Sequence, residues 1–144
     1  MGLNKLATYV LRAIPGAFIL NSGLGKLNTP PEAAAGMQQM AASGIPQLGE
    51  LEPTQFAKLL SYGEIALGTA LLLPFIPNKL AGLGLGAFSG GLLSMYFRND
   101  SMTEEDGIRP SQDGIALAKD SWLAAIALAL LLSGTKRAKK AKKG

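Results

Sequence analysis

Between Leu59 and Phe97 the chain carries just two charged side chains, Glu64 and Lys79. A water-soluble domain needs a polar shell around its core, and so long a stretch with so little charge cannot supply one. It reads instead as helices with lipid as their solvent. The rest of the 144 residues follows suit: charged residues make up 17% and gather at the N-terminus, in two connecting stretches and in the tail.

A bilayer core is about 30 Å thick and takes about 20 mostly apolar residues per helix. Four segments meet or approach that need: about 5–27, 56–76, 79–97 and 115–133. The first contains Arg12, Pro15-Gly16 and Asn21; the second has Glu64 as its only acidic residue. The third is uncharged between its ends, and the fourth opens on Lys119-Asp120 before an apolar run from Trp122. The expected fold is an all-α membrane protein: a four-transmembrane-helix bundle over residues 1–134, followed by a basic tail over 135–144. The first segment is expected to be retained, since Arg12 interrupts its apolar run and no Ala-x-Ala cleavage site follows. Pro15 removes a backbone hydrogen bond and is expected to kink it.

The connections carry signals of their own. Pro77-Asn78-Lys79 predicts a tight turn that makes the second and third segments an antiparallel hairpin. Residues 98–114 read as a solvated acidic loop, because their spacing does not match a calcium-binding EF-hand. In the first connection, Thr29-Pro30-Pro31-Glu32 has the pattern of a capping box, with Thr29 at N-cap, Pro30 at N1 and Glu32 at N3. A short helix ending near Ser43-Gly44, too short to span and expected to lie at the membrane interface, should follow.

Basic residues set the orientation. Lys136, Arg137, Lys139, Lys140, Lys142 and Lys143 form the densest positive cluster and place the C-terminus in the cytoplasm. Four crossings return the N-terminus to the same side, with Lys79, and put the acidic connections outside. The tail is expected to contact anionic lipid rather than nucleic acid.

The chain has neither Cys nor His. That removes disulfides, thiolate nucleophiles, thiol-ligated clusters and the commonest general base and metal ligand. No metal site and no catalytic residues are assigned, and no cofactor is expected to be bound by this chain alone; a quinone or lipid is the one candidate. The informative residues are intramembrane charges and small residues. An isolated charge at mid-bilayer costs about 3 kcal/mol or more, so Arg12 and Glu64 should face inward and find partners. They could meet each other near the middle, with Lys26 a second partner for Glu64. Lys119 and Asp120 could cap the fourth helix or join an outer polar cluster. Such a cluster either fixes helix register or forms a quinone head-group or proton-handling site. Gly82, Gly86, Gly90 and Ser94 repeat every four residues, as do Ser121, Ala125, Ala129 and Ser133. Such faces let helices approach closely, either within the bundle or against another subunit.

Taken in order, these motifs resemble the DoxX family of small bacterial and archaeal four-helix membrane proteins. The resemblance runs from about Leu11 to Gly134 and rests on Arg12, the run from Phe18 through Ser22-Gly23 to Lys26-Leu27, Gly44-Ile45-Pro46, Glu64 with Leu67-Gly68, and Ala118-Lys119-Asp120. The Gly-rich third helix and the Lys-rich tail depart from many relatives. The resemblance implies a prokaryotic plasma-membrane protein, a non-catalytic accessory subunit whose partners are other subunits of a respiratory or redox-linked complex. The alternative is a quinone- or lipid-binding oxidoreductase or carrier acting through Glu64.

Overall fold

The computed structural model describes residues 3–99, 102–112 and 114–143, with side chains described up to Ser133 except at residues 3 and 116. The described chain is helical: α1 (Leu3–Gly25), α2 (Pro31–Gly44), a 3-10 turn (Pro46–Glu50), α3 (Pro53–Leu72), α4 (Asn78–Arg98), the single turn α5 (Ile115–Ala118) and α6 (Ser121–Lys143). Its only extended pairing is an isolated bridge between Thr103 and Pro110. Among the described residues α4 alone is both long and apolar enough to cross a membrane, and the apolar part of α6, Ser121–Ser133, is shorter. The basic tail continues α6 as helix to Lys143, and its side chains lie outside the described residues.

Two antiparallel pairs organise the chain, and they are not the pair expected from the turn. α1 packs along α3, and α4 packs along α6, whereas α3 and α4 scarcely touch despite the short link between them. Glycine placement explains the choice. A Cβ on Gly68 would lie 2.6 Å from the Leu20 nitrogen and 2.7 Å from the Gly16 oxygen, and one on Gly23 would lie 2.9 Å from the Ser61 oxygen. Bare backbone at these positions lets α1 and α3 meet at a separation that no other residue allows. In the second pair, Gly82 faces the backbone oxygen of Ala127.

The pairs meet in one apolar cluster near the α3–α4 turn, built from Ile19, Leu71, Ala81, Leu85, Ala127 and Leu130. Beyond that cluster they part, and α2 bridges α3 and α4 across the gap. α2 is therefore part of the bundle: Ala34 is wholly buried, and buried Gln38 donates to the carbonyls of Leu48 and Leu51, fixing the 3-10 turn beneath it. Its expected capping box does not form. Pro30 is the N-cap, Pro31 the first helical residue, and the Thr29 hydroxyl donates back to the Lys26 carbonyl at 2.7 Å. Two successive prolines explain the shift, because Pro31 disfavours helical backbone at Pro30.

The fourth segment is also broken. α5 ends at Ala118, and α6 starts at Ser121. The amides of Asp120 and Trp122 bond three residues back, to Leu117 and Lys119, which is the tighter winding of a 3-10 turn. The described part of the loop before α5, residues 102–112, folds onto this end, with Met102 buried against Tyr96 and Leu117. Within it Asp106 bonds the amides of Ile108 and Arg109, and its carboxylate meets Arg109 Nε at 2.6 Å. Those contacts, that with the Arg109 side chain foremost, lower the Asp106 pKa to about 2. The acidic cluster thus spends one carboxylate on holding its own loop. Among the described residues no group of three or more Asp or Glu comes together in a metal-binding arrangement.

Candidate functional site: an ion pair on the wall of an apolar cavity

Arg12 and Glu64 do not meet. Arg12 is 3% exposed, and its guanidinium is spent on the far end of α3. Nε donates to the Leu71 carbonyl at 3.1 Å; one terminal nitrogen donates to the Ile76 carbonyl at 2.6 Å and to Asn78 Oδ1 at 3.0 Å; the other donates to the Ala70 and Leu73 carbonyls at 2.8 Å each. All five N–H groups of the fork are thereby used. Tyr9, one turn earlier on α1, donates to the Leu72 carbonyl at 2.9 Å. A helix leaves its last carbonyls unpaired, and here α1 caps them with a cation whose charge also suits the negative end of the dipole. Arg12 is a structural clamp on the α3–α4 turn, not a partner of the buried acid.

Glu64 pairs with Lys26 instead. Lys26 sits just past the C-terminal end of α1, and its Nζ lies 3.2 Å and 3.0 Å from the two Glu64 oxygens. It also donates to the Ser22 hydroxyl. The Glu64 side chain is 6% exposed and that of Lys26 23%. One turn away on α3, the Ser61 hydroxyl donates to the Gly23 carbonyl at 2.7 Å, which fixes the end of α1 against α3. The close approach at Gly16, Gly23 and Gly68 therefore sets the register that brings Lys26 to Glu64.

The pair lies on the wall of a cavity of about 1000 Å3 between the two helix pairs. Every helix contributes to the lining. α1 gives Ile14, Phe18 and Ile19; α2 gives Met37 and Met40; α3 gives Phe56 and Leu60. Phe88, Leu92 and Met95 close it from α4, Leu117 from α5, and Leu123 and Ile126 from α6. Among the described residues, the ionisable groups in the lining are Lys26, Glu64, Lys119 and Asp120. A smaller cavity of about 540 Å3 lies between α3 and α4 and shares Leu60, Glu64 and Phe88 with the first. The gap between the pairs thus runs past Glu64 on both sides. Its dimensions and its few polar groups in an apolar wall match small-molecule sites, which span about 300–1000 Å3.

The small-residue faces divide. Gly82 and Gly86 pack on Ala127 of α6, and Ser94 meets Gly44 of α2, but Gly90 has open space beside it. On α6, Ala125 and Ala129 are exposed, and Ala127 and Leu130 face α4. The stripe from Ser121 to Ser133 is therefore not the packing face of its helix. Gly16, Gly23 and Gly68, which let α1 and α3 meet, escape a search at four-residue spacing. Their signal is a seven-residue one, Gly16 with Gly23 on α1 and Ser61 with Gly68 on α3. Comparison of the chain with protein families, with curated proteins and with solved structures gives no match.

Proposed function

We propose that this chain is a four-pass membrane protein with both termini in the cytoplasm, and that its cavity holds an apolar molecule by a polar head, a quinone or a lipid. The observation that carries the reading is the apolar outer surface of the helices around that cavity, with polar side chains buried beside the apolar core. Arg12, Gln38, Ser61, Glu64 and Ser89 are buried, whereas Ile14, Phe18, Leu59, Leu83, Leu128 and Leu132 project from the outer faces of α1, α3, α4 and α6. So much exposed apolar surface on four helices is disfavoured in water. Arg12 on α1 and Ser61 and Glu64 on α3 are turned inward, while Asn21 and Lys58 stay on the outer surface. Helix ends are also satisfied from within: Arg12 and Tyr9 cap α3, Ser61 caps α1, and Arg98 donates to the Gly44 carbonyl of α2 at 2.9 Å. Spanning structures need such internal pairing, because lipid offers no hydrogen bonds.

In this reading the chain performs no chemistry itself. It serves as an accessory subunit that stores or presents its ligand to a larger membrane complex, and the resemblance to the DoxX family supports a respiratory or redox link in a prokaryotic plasma membrane. α2, with Met37 and Met40 on the cavity, acts as the outer cover. Purification in mild detergent followed by solvent extraction tests it. A stoichiometric quinone or lipid should accompany the wild-type protein and be lost from Gly91→Phe, where the new ring enters the cavity from α4. Equal recovery from both proteins would overturn the ligand role, and migration of the native protein without any stoichiometric partner would overturn the accessory role.

A further inference from the structure

Ile14, Phe18 and Trp122 line the cavity and are also 65%, 78% and 68% exposed. A side chain does both only at a mouth. These three belong to α1 and α6, helices of different pairs that scarcely touch. The cavity therefore opens sideways, onto the apolar outer surface of the bundle, at the gap where neither pair seals against the other.

Charge at the polar end restricts what can pass inward. Lys26 and Lys119 balance Glu64 and Asp120, so the formal charges of the described lining sum to zero. Both Glu64 oxygens already accept from Lys26. At the buried pair, away from the exposed Lys119, an anionic head would draw Lys26 away and leave a buried carboxylate without a counter-ion, a cost that usually exceeds what the new pair returns. A cationic head would compete for Glu64 in the same way. An uncharged head carrying both a donor and an acceptor meets no such penalty, because a carboxylate keeps further lone pairs after accepting from one ammonium. We propose that the cavity is loaded laterally from the bilayer, between α1 and α6, by a chain-like amphiphile with an uncharged head. This rests on the cavity being a ligand site, as set out above.

Trp122 is the only tryptophan in the chain and stands at the mouth, so its fluorescence reports arrival directly. The full-length protein in neutral-detergent micelles is titrated with a brominated monoacylglycerol and with the brominated fatty acid of the same chain, at a pH where the acid is ionised. Saturable quenching is expected from the monoacylglycerol at a concentration lower by about tenfold or more. Glu64→Gln frees Lys26 and should narrow or reverse that preference; the wild-type comparison stands even if this variant does not fold. Phe18→Ala widens the mouth and should speed the onset of quenching by roughly threefold or more, as expected when access limits association. Saturable quenching that is abolished by Gly91→Phe but shows no head preference overturns this inference and leaves the cavity reading intact. An unchanged rate in Phe18→Ala overturns the lateral route. Quenching that never saturates, or that survives Gly91→Phe unchanged, overturns the cavity reading itself and this inference with it.

Discussion

Replacing Arg12 with methionine keeps much of the side chain's length and apolar stem but removes all five donors from the end of α3. The carbonyls of Ala70, Leu71, Leu73 and Ile76 and the amide oxygen of Asn78 lose their partner together. A buried acceptor left unsatisfied costs about 1–3 kcal/mol. Leu71 is fully buried, so its carbonyl bears a loss of about 2 kcal/mol. The other acceptors belong to half-buried residues near the turn, where water recovers most of each bond and leaves about 0.5 kcal/mol apiece. The sum is a destabilisation of about 4 kcal/mol, a large part of the 5–15 kcal/mol typical of a folded domain. Unfolding of the purified protein in mixed micelles with rising anionic detergent, followed by helical circular dichroism, reads it. Arg12→Lys, with three donors on a flexible stem, should recover less than half the loss. Asn78→Ala should cost no more than about 1 kcal/mol. If Arg12→Met stays within about 1 kcal/mol of wild type, the guanidinium is not the cap of α3, and its five bonds contribute little to stability.

Further outcomes follow from the same contacts. Gly68→Ala forces a Cβ against the α1 backbone and should cost about 2–3 kcal/mol in the same unfolding assay, whereas Gly90→Ala, with open space beside it, should be neutral or stabilising by up to about 1 kcal/mol. Glu64→Gln strands Lys26 and should destabilise by about 3 kcal/mol, but the double change Lys26→Met with Glu64→Leu should lie near wild type, because removing both ions also removes their desolvation cost. The Asp106 carboxyl has a folded pKa lowered to about 2 from an ordinary 3.8. The loop's stabilisation by this group is therefore complete above about pH 4 and is lost as pH falls through about 2. A carbon-detected titration of Asp106 should show that midpoint, and Arg109→Ala should raise it toward 3.8, since the Arg109 side chain is the largest cause of the shift.

Helix positions were legible in the sequence because hydropathy is a property of consecutive residues. The expected segments 5–27 and 79–97 overlap α1 and α4 to within about two residues. Ends set by tertiary contacts were not legible. The segment expected to reach Ile76 stops at Leu72, where Arg12 from another helix takes over the capping. Depth along a helix put Arg12 and Glu64 within plausible reach of each other, but depth says nothing about which carbonyls a neighbour leaves unpaired. Lys26 was visible as a second partner for Glu64 through the same depth argument, and it is the actual one. Pairing of helices escaped because a short link implies adjacency only when nothing closer competes, and Gly16 and Gly68 let α1 compete successfully for α3. The cavity had no signature in the sequence at all. It is what remains when two pairs each close on themselves and the third contact, between α3 and α4, is left open.

Four-pass insertion requires the exposed apolar faces to be turned to lipid, and the absence of cysteine makes this directly measurable. Single cysteines at Leu59, Leu83 and Leu128, on three different helices, carry nitroxide labels in the protein reconstituted into vesicles, with a fourth at Ile108 in the loop between α4 and α5. Collision with oxygen and with a water-soluble nickel chelate is read for each. Multi-pass insertion predicts that the first three labels meet oxygen and are shielded from nickel, and that Ile108 meets nickel freely. Free nickel access at Leu59 or Leu128, with only Leu83 shielded, would contradict it and leave α4 as the sole helix in the membrane.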